Sequence, residues 1–226
     1  MPKRLNSLAF ATFGNALFIA IIFWWPLKLS MNWDEVLRYA WPGVDQDGYN
    51  LAGLLAPMTD RLENGGVPIL ILRTIRSVLP FASPNLTFLI YKLGVAFLGG
   101  MSVFLMAGAA GLIAFALAPM FWIQSGEIML EPFCMPFFLL SIYAFSNLRP
   151  DVRMTTERAT AVLLFALTVL ILTSVQFWMA TGAVLSLTWL VFPRDSRWKA
   201  ARGLVAAGAF SLLMWRFVHL KFSNEQ

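Results

Sequence analysis

The chain has 226 residues, 59% of them hydrophobic and 13% charged, with a formal net charge of +5. Soluble domains carry about 25% charged residues, so this composition excludes an ordinary water-soluble enzyme and points to lipid as the solvent. In lipid the positive balance is a matter of topology, because basic residues are kept on the cytoplasmic side of the spans; nucleic acid, the partner it would suggest in a soluble protein, is not expected.

Apolar runs close to the length that crosses about 30 Å of hydrocarbon lie at 7–29, 86–107, 160–173, 177–192 and 203–220. The stretch 108–147 is also apolar, is broken by "QSGEIMLEP" at 124–132, and fits two shorter spans back to back. The expected fold is an all-α polytopic integral membrane protein, one transmembrane domain over 1–226, with about seven crossings. The opening "MPKR" and the apolar run after it resemble a secretory signal. That run is too long for one, ends in "WWPLK" like an interfacial aromatic belt, and has no small-residue cleavage site. Lys3 and Arg4, then Arg149, Arg153 and Arg158, then Arg194, Arg197, Lys199 and Arg202 all fall on one side if there are seven crossings. That side is expected to be cytoplasmic, with the N-terminus there, in a cell or inner membrane.

The connection 30–83 then lies outside. It holds six acids (Asp34, Glu35, Asp45, Asp47, Asp60, Glu63) against four bases (Arg38, Arg61, Arg73, Arg76), and four of the acids sit within "DEVLRYAWPGVDQDGYN". Two juxtamembrane helices are predicted in it. The first has Leu51, Leu54, Leu55, Met58 and Leu62 at helical spacing, Asn50 as N-cap and Gly65 or Gly66 as its stop. The second follows Pro68 and puts Arg73 and Arg76 on one face. An apolar face beside a basic one favours the headgroup plane.

In the second span "LGGMSVFLMAGAAGLIA", and later "GLVAAGAF", are rich in small residues that let helices approach closely in lipid. Lys92 sits a turn or two into that span, where it either snorkels to the outer interface or pairs with an ion or lipid phosphate. Pro119, Pro132 and Pro136 flank the turn carrying Glu127 and Glu131, which should be bent and fixed, on the same outer side as the acidic loop. "LTSVQFW" reads as a further outer turn, which takes Gln176 out of the membrane. Cys134 reads as a small buried hydrophobe, and His219, the lone histidine, has no partners for histidine catalysis or a multi-histidine metal site. "NLT" at Asn85 matches a glycosylation acceptor but abuts the second span.

Carboxylates outside a bundle, beside a basic interfacial helix, suit the handling of a phosphorylated lipid. A carboxylate can take the proton of an incoming hydroxyl, or hold a divalent cation that neutralises a leaving phosphate. Arg73 and Arg76 can grip the phosphate. Trp33, Tyr39, Trp41 and Tyr49 interleave with the acids and suit sugar rings or an interfacial belt equally.

The order of first span, acidic outer loop, juxtamembrane helices and second span resembles the N-terminal module of the GT-C glycosyltransferases, which use polyprenyl-phosphate-linked sugars. "DEVLRYA" at 34–40 is similar to an Asp-Glu pair followed by Arg-Tyr-Ala in several members, with two extra residues. "DGYNLAGLLAPMTDRLENGGVPILILR" at 47–73 is similar to another version, an acid, a tyrosine, a helix, then Gly and Pro ahead of a base. "SGEIMLEPFCMPFFLLSIYAF" resembles the family's later outer turn and fourth span. The resemblance covers roughly the first 190 residues. It implies a catalytic acid at Asp34 or Glu35 by the first match and at Asp47 by the second, with Glu127 and Glu131 as second-loop acids that assist metal or acceptor binding. Substrate contacts are expected from Arg73, Arg76, Tyr49 and Lys92. Family members are generally longer, so a minimal enzyme, half of a two-chain enzyme or a scaffold are all expected forms.

The competing class is a non-catalytic subunit packed against a second membrane protein chain, which nine tryptophans and close-packing small residues also suit. A transporter would need ionisable residues near the midplane, and beyond Lys92 and Gln176 the spans offer few.

Overall fold

The structure, a computed structural model, describes residues 66–81, 84–116, 130–149 and 154–223, together with Ala9, Thr12 and residues 14–16. All helices among them are α: α1 (Gly66–Val78), α2 (Pro84–Ala116), α3 (Leu130–Ser146), α4 (Thr156–Thr173), α5 (Val175–Leu190) and α6 (Arg194–Ser223). No strand forms among the described residues. Among the described residues three stretches are long and apolar enough to cross a membrane: Leu89–Ala114 in α2, Thr156–Thr173, and Arg194–Val218 in α6. Phe133–Ser146 and Val175–Leu190 are apolar but shorter. The chain is therefore a membrane protein that is all-helical among the described residues. The predicted helix after Pro68 is present as α1; the helix predicted at 50–64 and the first span lie outside the described residues.

The described residues fall into two compact units, one holding those up to residue 16 and 68–136, the other 66–67 and those from 137 on, so that the chain passes from one to the other within α1 and again within α3. In the first unit, the helical residues 14–16 contact α2 through a polar clamp. Asn15 is almost wholly buried, and its Nδ2 donates to the Phe97 carbonyl at 3.0 Å. Gly100 makes room for it, since a Cβ there would overlap the Asn15 carboxamide. Further along α2 the helix kinks at Gly108, whose φ of 68° and ψ of −162° are accessible essentially to glycine alone. The small-residue run "AGAAG" thus bends the span as well as narrowing it.

In the second unit α4 is the central element. It buries Ala159, Leu163, Ala166, Leu167, Leu170 and Ile171 at helical spacing and contacts both α5 and α6. Its start is set by Thr155, whose hydroxyl accepts from the Arg158 amide, with Glu157 in the first turn facing the positive end of the helix dipole. Its end is set by Ser174, in extended conformation. The Ser174 N–H donates to the Leu170 carbonyl at 2.7 Å, while its Oγ accepts from the Phe177 amide at 3.5 Å and starts α5. One residue closes one helix and opens the next. The turn expected in "LTSVQFW" is here, and Gln176 is exposed in the first turn of α5.

α6 packs through small residues. Ser196, Ala200, Gly203, Ala207 and Ser211 form its buried stripe, and Ser211 Oγ accepts from Trp178 Nε1 on α5 at 3.0 Å. Apolar association gains little in lipid, so close approach and such bonds carry the packing. Hydroxyls that would otherwise be orphaned bond within their own helices: Ser102, Ser141, Thr168, Thr173, Thr181 and Thr188 each donate to the carbonyl four residues earlier, at 2.7–2.8 Å.

Candidate functional site

α1 is thirteen residues long, about 20 Å of helix, too short to cross the hydrocarbon. Its buried face carries Pro68 and Leu72, and its exposed face carries Leu70, Thr74, Ser77 and Val78. Arg73 and Arg76 are half-buried on one flank between those faces. The exposed face is mixed: Thr74 and Ser77 turn their hydroxyls back onto the Leu70 and Arg73 carbonyls, at 2.8 and 2.9 Å. Leu70, Val78 and, just beyond the helix, Phe81 present apolar surface between them. Such a helix meets both headgroups and acyl chains, with two guanidiniums held at its side.

Lys92 lies in the third turn of α2, near the start of the span, and is half-buried. The preceding residue, Tyr91, stacks on Phe133 of α3, ring centroids 6.2 Å apart and planes 12° apart. Glu131 is the second residue of α3. The stack therefore joins the two elements that carry Lys92 and Glu131. Tyr91 is almost fully buried, and its hydroxyl has no hydrogen-bond partner among the described residues. Cys134, expected to be a buried hydrophobe, is fully buried beside Phe133 in the chain.

Asp34, Glu35, Asp47, Tyr49 and Glu127 lie outside the described residues. What the structure brings together of the expected site is the arginine pair on α1 and, separately, the Lys92 and Glu131 elements at the aromatic stack. Among the described residues no group of three or more His, Cys, Asp or Glu could hold a metal ion.

A second polar feature went unread in the sequence. At the turn between α5 and α6, Arg197 donates from Nε to the Phe192 carbonyl at 2.9 Å and from a terminal nitrogen to the Leu190 carbonyl at 2.7 Å. Trp189 Nε1 returns a bond to the Arg197 carbonyl at 2.9 Å, and the guanidinium lies 5.9 Å from the Trp189 ring centre. The last carbonyl of α5, on Leu190, and one in the turn beyond it, on Phe192, are thus met by a cation, the sign the helix dipole favours there. The signal was available: a tryptophan in the last turn and an arginine eight residues on.

No family model, no curated protein and no solved structure matches the chain.

Proposed function

We propose that the chain is a GT-C-like membrane glycosyltransferase, or a minimal module of one, that takes a sugar from a lipid-phosphate carrier at the outer membrane face. The observation that carries this reading is α1: a helix too short to span, with Arg73 and Arg76 half-buried one turn apart on its flank. That arrangement suits a phosphate at the membrane surface. In the proposed reaction an outer-loop carboxylate, Asp47 or, by the other match, Asp34 or Glu35, takes the proton of an acceptor hydroxyl. The hydroxyl oxygen bonds to the anomeric carbon as the bond from that carbon to the phosphate oxygen breaks. The charge left on the phosphate is met by the arginines. Tyr49, Lys92, Glu127 and Glu131 complete the proposed substrate contacts. The topology that goes with this has seven crossings, the N-terminus and the basic turns in the cytoplasm, and α1 outside.

The test is sugar transfer by the purified full chain from polyprenyl-phosphate sugars, comparing wild type with Asp47→Asn, Asp34→Asn and Glu35→Gln. Turnover that falls at least about a hundredfold in one of these variants supports the assignment. Absence of turnover with every donor, or turnover indifferent to all three substitutions, rejects it. A non-catalytic subunit is the second reading. It is favoured by α6, only 17% of whose span is buried against 39% for α4, leaving a long apolar face for lipid or another chain.

A further inference from the structure

The second unit gathers cations at one end. The Phe145 ring, in the last turn of α3, packs on Phe192 with centroids 5.0 Å apart, and the Arg149 guanidinium sits 4.8 Å from the same Phe192 ring centre. Leu148 lies against Gly203 of α6, where an added Cβ would come within 3.0 Å of its Cδ1. Arg149 follows Leu148 and Arg202 precedes Gly203 in sequence, so the backbone places both residues at this end of the unit. Arg202 stands over the Trp198 ring at 5.4 Å, and Trp198 itself is 68% exposed. Arg158, in the first turn of α4, and Arg194 and Lys199, in the first two turns of α6, are also exposed at this end. The acids described here are Glu157 and Asp195, both exposed. Arg197 is spent on closing α5, as described above, but the other five cations present their charge outward.

The direction of α6 gives this corner its meaning. Arg194, Trp198 and Arg202 recur every four residues on the exposed side, opposite the buried stripe of Ser196, Ala200 and Gly203. Beyond Arg202 the helix exposes Val205, Phe210, Leu212 and Leu213. Only the thirteen residues 203–215 separate Arg202 from Arg216, about 20 Å of helix against about 30 Å of hydrocarbon. Arg202 must therefore reach toward the headgroups, where Trp198 as an interfacial aromatic also belongs. A guanidinium lying on an aromatic ring keeps its N–H edge available for phosphate oxygens.

We infer that the corner formed by Arg149, Trp198 and Arg202 binds the phosphate headgroup of an anionic phospholipid whose acyl chains lie along the exposed apolar face of α6. The occupant is argued from charge complementarity at the head and from the change to apolar side chains one turn further on. This stands apart from the glycosyl-transfer reading, and neither depends on the other.

The experiment is native mass spectrometry of the full chain in a neutral detergent, titrated with phosphatidylglycerol or with phosphatidylcholine of the same acyl composition. Each interfacial cation contributes about fivefold to anionic-lipid affinity, so Arg149→Gln with Arg202→Gln should weaken phosphatidylglycerol binding about 30-fold. Phosphatidylcholine binding should be unchanged. Arg216→Gln, toward the opposite end of α6, should leave both unchanged, and the pair Arg149→Lys with Arg202→Lys should retain most of the affinity. Equal wild-type affinity for the two lipids would overturn the inference, as would an equal loss from Arg216→Gln or a loss in the lysine pair as large as in the glutamine pair. Glycerol 3-phosphate binding as tightly as phosphatidylglycerol would overturn it too, by showing a site for free phosphate.

Discussion

Asn15 shows how a single polar side chain is made tolerable in lipid. Its carboxamide has a carbonyl to donate to, on Phe97, and a glycine opposite, Gly100, to lie against. Such interhelical bonds are worth about 0.6–1.7 kcal/mol in membranes. Asn15→Leu should therefore lower unfolding stability by about 1 kcal/mol, and Gly100→Ala by at least as much because the clamp must open. Reversible unfolding in mixed detergent micelles measures both; stabilities equal to wild type would show that the clamp carries nothing. Tyr91 is the opposite case. Its ring is packed on Phe133, yet its hydroxyl is buried with no partner among the described residues. An unmet buried hydroxyl costs about 1–3 kcal/mol, so Tyr91→Phe should hold stability level or raise it by up to about that amount in the same assay. A clear loss would reveal a bond the hydroxyl makes elsewhere. Neither feature could be read in advance. Asn15 sits inside an apolar run, where only its partner explains it, and the fate of the Tyr91 hydroxyl depends on a contact between helices some forty residues apart.

Elements were legible where local chemistry ends them. The span expected over 160–173 closes at Thr173 because Ser174 adopts the extended conformation that caps α4 and starts α5. α6 begins at Arg194, nine residues ahead of the apolar run expected from 203, because hydropathy stops at charges while a helix continues through them when Ser196, Ala200 and Gly203 can pack. The kink in α2 was hidden for a different reason. "AGAAG" signals close approach, and nothing in it distinguishes a tight straight helix from one that breaks at Gly108. Gly108→Ala forces a side chain into a glycine-only conformation, which costs about 1–3 kcal/mol. Stability in the micelle assay should fall by that amount unless the helix straightens, and straightening would be read as a longer distance between spin labels at Leu98 and Ile113, both exposed. An unchanged stability with an unchanged distance would contradict the kink. At the other hairpin, Arg197→Gln removes charge-assisted bonds to the Leu190 and Phe192 carbonyls and should cost about 1.5–3 kcal/mol. Arg197→Lys should recover only part, since an ammonium cannot reproduce the fork of the guanidinium.

At the scale of the molecule, the membrane class was legible from composition and from the length of the apolar runs, and the helical structure agrees with it. Of the proposed site, Arg73 and Arg76 were legible because a spacing of three on a short helix fixes their common flank before any packing is known. A convergence of acids from 34–47 with those at 127 and 131, as the proposal requires, is not legible in this way, because it would depend on contacts between segments remote in sequence, about which helical periodicity carries no information. The proposed chemistry needs the arginine helix and the basic turns on opposite faces of the membrane. Cysteine labelling decides this directly, since the sole native cysteine, Cys134, is buried while Ser77 on α1 and Lys199 on α6 are exposed. In intact spheroplasts of an expressing cell, a membrane-impermeant maleimide should label Ser77→Cys at once, and Lys199→Cys only after permeabilisation. Labelling of both from the outside, or of neither until the membrane is opened, would contradict the account.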